Sequence, residues 1–138
     1  MNGQVDSMAA RKSVLLVDDE PGIRVTMPLI LRKHGFDVTV AGTVQEALDK
    51  IQNQNFDLLL CDLNIDRVGD GFIVIRAMRD ANPLCVAILV TGYPSLESAI
   101  EGIHHALDDY VVKPTITDAL IATMRERLMA RQSNAPLN

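Results

Sequence analysis

A chain of 138 residues has room for one domain whose core stands without staples, since a domain near that size buries roughly 68% of its unfolded surface. Its 18 acidic side chains against 13 basic ones, a formal charge of −5, two tyrosines and no tryptophan argue against direct nucleic acid binding, which draws on cationic and stacking side chains. Cys61 and Cys85 stand alone in apolar runs, which excludes a disulfide framework, and no run reaches the ~18 apolar residues of a membrane span, so the expected setting is the reducing cytoplasm without membrane contact.

Residues 1–12 are polar and unpatterned and read as a flexible tail. The run Ser13-Val14-Leu15-Leu16-Val17 is a continuously apolar strand that stops at Asp18-Asp19-Glu20. Pro21 suits a first helical turn, and Ile23, Met27, Ile30, Leu31 and His34 follow at helical spacing until Gly35. Pro28 lies about two turns in and lacks an amide donor, so it predicts a kink or a late start. Phe36 to Val40 alternates apolar with polar, as an edge strand does. Thr43 and Glu46 form a capping-box pattern before Val44, Ala47, Leu48 and Ile51, which fall at i, i+3, i+4 and i+7.

The strand at 57–61 delivers Asp62, and a polar loop follows from Asn64 to Gly69. Asp70 is placed to cap a helix through about Ala81 that buries Phe72, Ile75 and Met78, with Asn82-Pro83 as its breaker. The strand at 85–90 ends at Thr91-Gly92, and the next helix carries Leu96, Ala99, Ile100, Ile103 and Leu107 on one face. Asp109 to Val112 is a short last strand. Thr115 with Asp118 then predicts the cap of a final helix that turns Leu120, Ile121, Met124 and Leu128 inward, while Arg125, Arg127 and Arg131 read as a solvated face. His104 and His105, adjacent on a helix, point in different directions and do not read as a metal pair. The domain is therefore drawn at 13–131, with tails at 1–12 and 132–138.

Strands and helices alternate with connections too long for hairpins, which predicts an α/β fold: a doubly wound, five-stranded parallel sheet with five helices on both faces. Strands one, three and four are apolar throughout and belong inside, whereas strand two alternates and strand five is short, as edges are. The order 2-1-3-4-5, flavodoxin-like, satisfies this and places the ligand crevice at the carboxyl ends of strands one and three, where Asp18, Asp19 and Asp62 meet.

Carboxylates that close raise one another's pKa and titrate as a coupled set, and a hard divalent cation resolves the conflict. Oxygen donors without histidine or cysteine favour Mg²⁺, which takes one or two carboxylates and keeps several waters. Asp62 then reads as a nucleophile on phosphorus, with Lys113 and the Thr91 hydroxyl placed at neighbouring strand ends to neutralise phosphoryl oxygens.

The acidic pair Asp18-Asp19, strand-end Asp62, Thr91-Gly92, the aromatic of Asp109-Tyr110, and Lys113-Pro114 occur in this order at fitting separations. Over about residues 12–130 the chain resembles a receiver domain of the bacterial two-component response regulators. That resemblance implies a signalling module, not a conventional enzyme, in which Asp62 takes a phosphoryl group from a sensor histidine kinase, a phosphotransfer protein or a small phosphodonor. It also implies Mg²⁺ held by Asp19 directly, by Asp18 through water, by Asp62, and by the backbone carbonyl of Asn64, with a cis bond at Lys113-Pro114. Thr91 and Tyr110 would form the switch, read out on the fourth helix, fifth strand and fifth helix by a partner or by a second copy in a homodimer.

The chain departs from the family pattern in three places. Asp66 stands where receivers usually carry proline, Asp70-Gly71 comes one residue late, and His104-His105-Ala106-Leu107 lacks the glycine common before the last strand. The loop from Asn64 to Asp70 is thus expected to have its own conformation, with Asp66 adding negative charge near the metal. Asn64 and Tyr93 occupy positions that influence dephosphorylation in the family. Two other readings fit the same residues: a phosphorylation-independent pseudo-receiver acting as an interaction module, and a hydrolase of the haloacid dehalogenase type, which the adjacent Asp18-Asp19 and the lack of a cap insertion disfavour. No Gly-x-x-x-x-Gly-Lys loop supports nucleotide binding.

Overall fold

The computed structural model describes residues 11–114 and 117–133. Five strands, β1 (Lys12–Val17), β2 (Phe36–Ala41), β3 (Leu58–Asp62), β4 (Val86–Thr91) and β5 (Asp109–Val112), pair in parallel in the order β2-β1-β3-β4-β5. Between and after them run α1 (Pro21–Lys33), α2 (Val44–Asn53), α3 (Gly71–Ala81), α4 (Leu96–His104) and α5 (Thr117–Ser133). The expected order and the edge positions of β2 and β5 hold, and strand boundaries fall within one residue of expectation. Among the described residues no helix is long and apolar enough to cross a membrane.

The apolar strands are buried because both sheet faces are covered, and their alternation sorts the core into two layers. Leu15, Val17, Leu59, Cys61, Ala87 and Leu89 face α2 and α3, meeting Ala47, Ile51, Val74, Ile75 and Met78. Val14, Leu16, Leu58, Leu60, Val86 and Ile88 face α1 and α5, meeting Leu31, Leu120, Ile121 and Met124.

Several local expectations change. Pro28 does not delay α1, which runs unbroken from Pro21 to Lys33 with Pro28 buried on its inner side. The Thr43 hydroxyl accepts the Glu46 amide as predicted, while the Glu46 carboxylate returns to the Gly42 amide, one residue earlier than in the usual capping box. Asp70 makes no side-chain cap for α3; its carboxylate turns back to accept the Arg67 amide at 2.8 Å. Thr115 lies outside the described residues.

The largest correction concerns α4. Leu96, Ile100 and Ile103 do share a face, but it is the solvent face, at 77%, 46% and 77% exposure. The buried positions are Ser98 and Gly102, four residues apart. Leu107 is not helical: it follows Ala106, whose φ of +56° ends the helix, and folds back so that a Cβ on Gly102 would sit 2.6 Å from its Cδ1. The arginines of α5 are also engaged. Arg131 pairs with Asp108 at 2.6 Å, Arg127 with Asp109 at 3.1 Å, and Arg125 donates to the His34 carbonyl at 2.8 Å.

Candidate functional site

The register that sets Val17 beside Cys61 brings the next residues, Asp18 and Asp62, together at the carboxyl edge of the sheet. Asp18 is fixed from three sides. Its amide donates to the Ala41 carbonyl at 3.1 Å, its carbonyl accepts the Arg24 guanidinium at 3.1 Å, and its Oδ1 accepts the Glu20 amide at 2.9 Å. The remaining oxygen, Oδ2, is left to face the site.

Lys113 enters from the end of β5, its backbone amide donating to the Thr91 carbonyl at 2.7 Å, and the bond to Pro114 is cis. Its Nζ lies 3.0 Å from Asp18, 3.1 Å from Asp62 and 3.6 Å from Glu20. One carboxylate oxygen from each of these three acids lies within 4.8 Å of the others. Asp19, named in the sequence analysis, stands outside this group and exposed, although it lines the same cleft of about 380 Å³ with Asn64 and Asp66. Glu20, not singled out from the sequence, is inside it. The available signal was position: it is the third consecutive carboxylate of a turn closed by Pro21.

Burial pushes the Asp62 carboxyl up, the Lys113 hydrogen bond and charge pull it down, Asp18 pushes it up again, and the balance lies above the ordinary carboxylate range. Burial alone would lower Lys113, but hydrogen bonds and charges from Asp18 and Asp62 outweigh it and hold the ammonium above the usual lysine value. Burial, with Asp62 and Asp18 beside it, also raises the Cys61 thiol well above its ordinary range, so this neighbour of Asp62 stays a protonated core side chain.

Thr91 is fully buried at the end of β4, and its hydroxyl accepts the Tyr93 amide at 2.9 Å. Tyr110 on β5 packs beneath α4, where its hydroxyl meets the Ser98 hydroxyl and accepts the Ser95 amide at 3.4 Å. The 64–70 loop is closed on itself: the Asn64 side-chain oxygen accepts the Gly69 amide at 2.9 Å, with Gly69 at φ +84°. Asn64 also donates its amide to Asp62 Oδ1 at 3.3 Å. Gly71 closes the loop tightly, for a Cβ there would fall 2.3 Å from the Asp62 carbonyl oxygen. Asp66 is exposed and outside the acidic group; its carboxylate reaches the Val44 amide at the start of α2, at 3.4 Å. The two histidines do not converge, since His105 stacks on Phe72 and bonds Glu101 while His104 is exposed.

The donor set is all oxygen and negative, and the Lys113 ammonium shows that the three carboxylates converge on a single positive centre. A hard divalent cation fits such a set.

The geometry agrees with what this chain is similar to. The transcriptional regulatory protein ZraR of Escherichia coli is 32% identical over 115 residues, which is 83% of this chain and 26% of that protein. The transcriptional regulatory protein TrcR of Mycobacterium tuberculosis is 33% identical over 88% of this chain and 46% of its own length. The chain thus spans between a quarter and a half of these curated relatives. Among solved structures, a CheY-like receiver domain protein from Methanospirillum hungatei superposes with a TM-score of 0.86 at 30% identity, covering 91% of this chain and all of that one. The chemotaxis response regulator CheY4 of Vibrio cholerae gives a TM-score of 0.77 at 28% identity, over 86% of this chain. The family described as response regulator receiver domain matches residues 14–125, which include Asp18, Asp62, Thr91 and Lys113, and the chain belongs to that family.

Proposed function

We propose that the domain accepts a phosphoryl group on Asp62 in a Mg²⁺-dependent reaction, delivered by a sensor histidine kinase or a phosphotransfer protein. The observation that carries this is the Lys113 ammonium bridging Asp62 and Asp18, at the sheet edge where β1 and β3 adjoin. An Asp62 oxygen attacks phosphorus, a new O–P bond forms, and the bond from phosphorus to the donor atom breaks with its electron pair leaving on the donor. Lys113 favours the ionised form of the attacking carboxylate against the effect of burial and is within reach of a phosphoryl oxygen held on it. Asp18, Asp19, Asp62 and the Asn64 carbonyl are the candidate ligands for Mg²⁺, which when bound neutralises the charge gathered on carboxylates and phosphoryl oxygens.

The switch follows from two bonds that are already made. Thr91 accepts the Tyr93 amide on its hydroxyl oxygen, so its O–H can donate to the phosphoryl group and draw the Tyr93 backbone with it, whereas Tyr110 must leave Ser98 to turn inward. Carrying a two-state equilibrium from 1:99 to 99:1 takes ~5.5 kcal/mol, against ~1.5–3 kcal/mol for one hydrogen bond to a charged group. Thr91 alone is too weak, and Thr91 with Lys113 approaches the requirement. The output surface is α4, β5 and α5, recognised by a partner, by a second copy, or by further domains of a longer regulator. Intact mass after incubation with a small phosphodonor and Mg²⁺ tests the reading. Wild type gains one phosphoryl group and Asp62→Asn gains none. Absence of gain with a small donor and with a kinase, in folded protein, selects the phosphorylation-independent module instead.

A further inference from the structure

The turn that carries Asp18, Asp19 and Glu20 is held from outside by one side chain. Asp18 donates its amide to the Ala41 carbonyl and accepts the Glu20 amide on Oδ1, both backbone partners. Its carbonyl, by contrast, accepts Nη1 of Arg24 at 3.1 Å. Arg24 lies one turn into α1, and long helical side chains lean toward the amino end, which brings this half-buried guanidinium back over the turn. A cation gains nothing there from the helix dipole, whose positive end is the amino end. Among the described residues no carboxylate lies within ion-pair distance of it either. The space it fills is left by Gly42, next after β2: a Cβ there would fall 2.9 Å from Arg24 Cζ and Nη1, closer than side chains approach. Gly42 is outside the left-handed region, so the backbone itself does not demand glycine.

We propose, resting on the phosphoacceptor reading above, that Arg24 is a positioning residue for the reaction at Asp62, seated in the gap at Gly42 and fixing the Asp18–Asp19 peptide. The end of β2 holds the Asp18 amide and α1 holds its carbonyl, so that peptide has one orientation. The orientation sets where Asp18 Oδ2 and the Asp19 carboxylate lie relative to Asp62. Losing the guanidinium leaves the pairing of β1 with β2 and β3 intact and frees only the turn. Gly42→Ala does the same from the other side. The guanidinium is the far end of a flexible side chain, so an added methyl displaces it at little cost to the fold and takes it off the Asp18 carbonyl. The two residues act as one device, and their losses should not add.

The test uses the full chain and Mn²⁺ as the probe, with free ion counted by its electron paramagnetic resonance signal. Arg24→Met should weaken Mn²⁺ binding about fivefold, the scale of one net hydrogen bond. The sign is diagnostic, since removing a positive charge near a cation site would by itself tighten binding. Gly42→Ala, which keeps the charge, should weaken binding by a similar factor, and the double variant should lose less than about twofold beyond Arg24→Met. At subsaturating Mg²⁺, phosphoryl gain from a small phosphodonor, read by intact mass, should slow in parallel. Urea midpoints identify folded samples, and Gly42→Ala, only one methyl larger, decides the matter if Arg24→Met does not fold. The proposal is overturned if either folded single variant binds Mn²⁺ at least as tightly as wild type. It is also overturned if the two losses add, which would show Gly42 acting without the guanidinium. Failure of the phosphoacceptor reading looks different, and the proposal falls with it: wild type itself takes up no Mn²⁺, or takes it up and gains no phosphoryl group from a small donor or a kinase.

Discussion

Replacing Lys113 by Met tests how the acidic site is held when no divalent cation is added. The ammonium lies 3.0 and 3.1 Å from Asp18 and Asp62, whose side chains are 5% and 10% exposed against 23% for its own. At an effective dielectric of ~20, a pair at 3 Å attracts by roughly 5.5 kcal/mol before desolvation, and deleting one partner of a buried pair costs ~3–5 kcal/mol. The partial exposure of Lys113 places the loss at about 2–4 kcal/mol, or roughly 6–15 °C in melting temperature for a domain of this size. The loss carries a pH signature. Without Lys113, Asp62 loses the influences that pull its pKa down, so its folded value rises further above the unfolded one. A group so raised stabilises the fold below its unfolded pKa of ~3.9, and that contribution disappears as pH rises through the folded value. Thermal melting in EDTA should therefore show a small deficit for Lys113→Met near pH 4 and the full deficit by pH 7.5, with added Mg²⁺ narrowing it. An equal deficit at both pH values, or none at pH 7.5, would refute the electrostatic account.

Three other perturbations are equally direct. Asp108 accepts the Ala87 amide at 2.8 Å and pairs with Arg79 and Arg131, so Asp108→Ala should cost about 2–4 kcal/mol in urea unfolding by leaving the Ala87 amide without that acceptor and both arginines without their carboxylate. Ala106 holds a left-handed backbone at φ +56°, where an L side chain costs roughly 1–2 kcal/mol; Ala106→Gly should return about 0.5–1 kcal/mol net, read as a higher urea midpoint. Wild-type stability should also fall on the alkaline side: Lys113 has a raised folded pKa, so its contribution is complete below ~10.4 and is lost as pH climbs through the folded value, measurable as melting temperature against pH.

The architecture was legible because β1, β3 and β4 each carry an unbroken apolar run, at 14–17, 58–61 and 86–90, a pattern that fits a sheet covered on both faces. The positions of Asp18 and Asp62 followed directly, since strand ends in a parallel sheet share one edge. Charge partnerships were not legible. Arg131 reaches Asp108 across 23 residues of sequence, and Glu20 joins the acidic group only because Asp18 Oδ1 holds its amide and shapes the turn. The family's glycine before the last strand is absent, and Ala106 takes a left-handed backbone in that stretch.

Helix α4 misled for a reason that bears on function. Its apolar periodicity is real, and spacing alone assigns Leu96, Ile100 and Ile103 to the core. They are displaced because the inner face of α4 is built from Ser98 and Gly102, two residues small enough to admit the Tyr110 ring and the Leu107 side chain. The helix is therefore attached through a hydroxyl pair and a shallow apolar contact, with its larger apolar side chains left in solvent. Such an attachment is weak, about 0.5–1.5 kcal/mol for the hydrogen bond, and on the proposed phosphoacceptor reading one charge-assisted bond from Thr91, at ~1.5–3 kcal/mol, would offset it. A double-mutant cycle on Tyr110→Phe and Ser98→Ala measures that attachment. The single variants should each lose about 0.5–1.5 kcal/mol and the pair less than the sum of the two, since each hydroxyl also has a bond to Ser95. Additive losses in the pair would mean that the two hydroxyls act independently, and that α4 is not held by the bond between them.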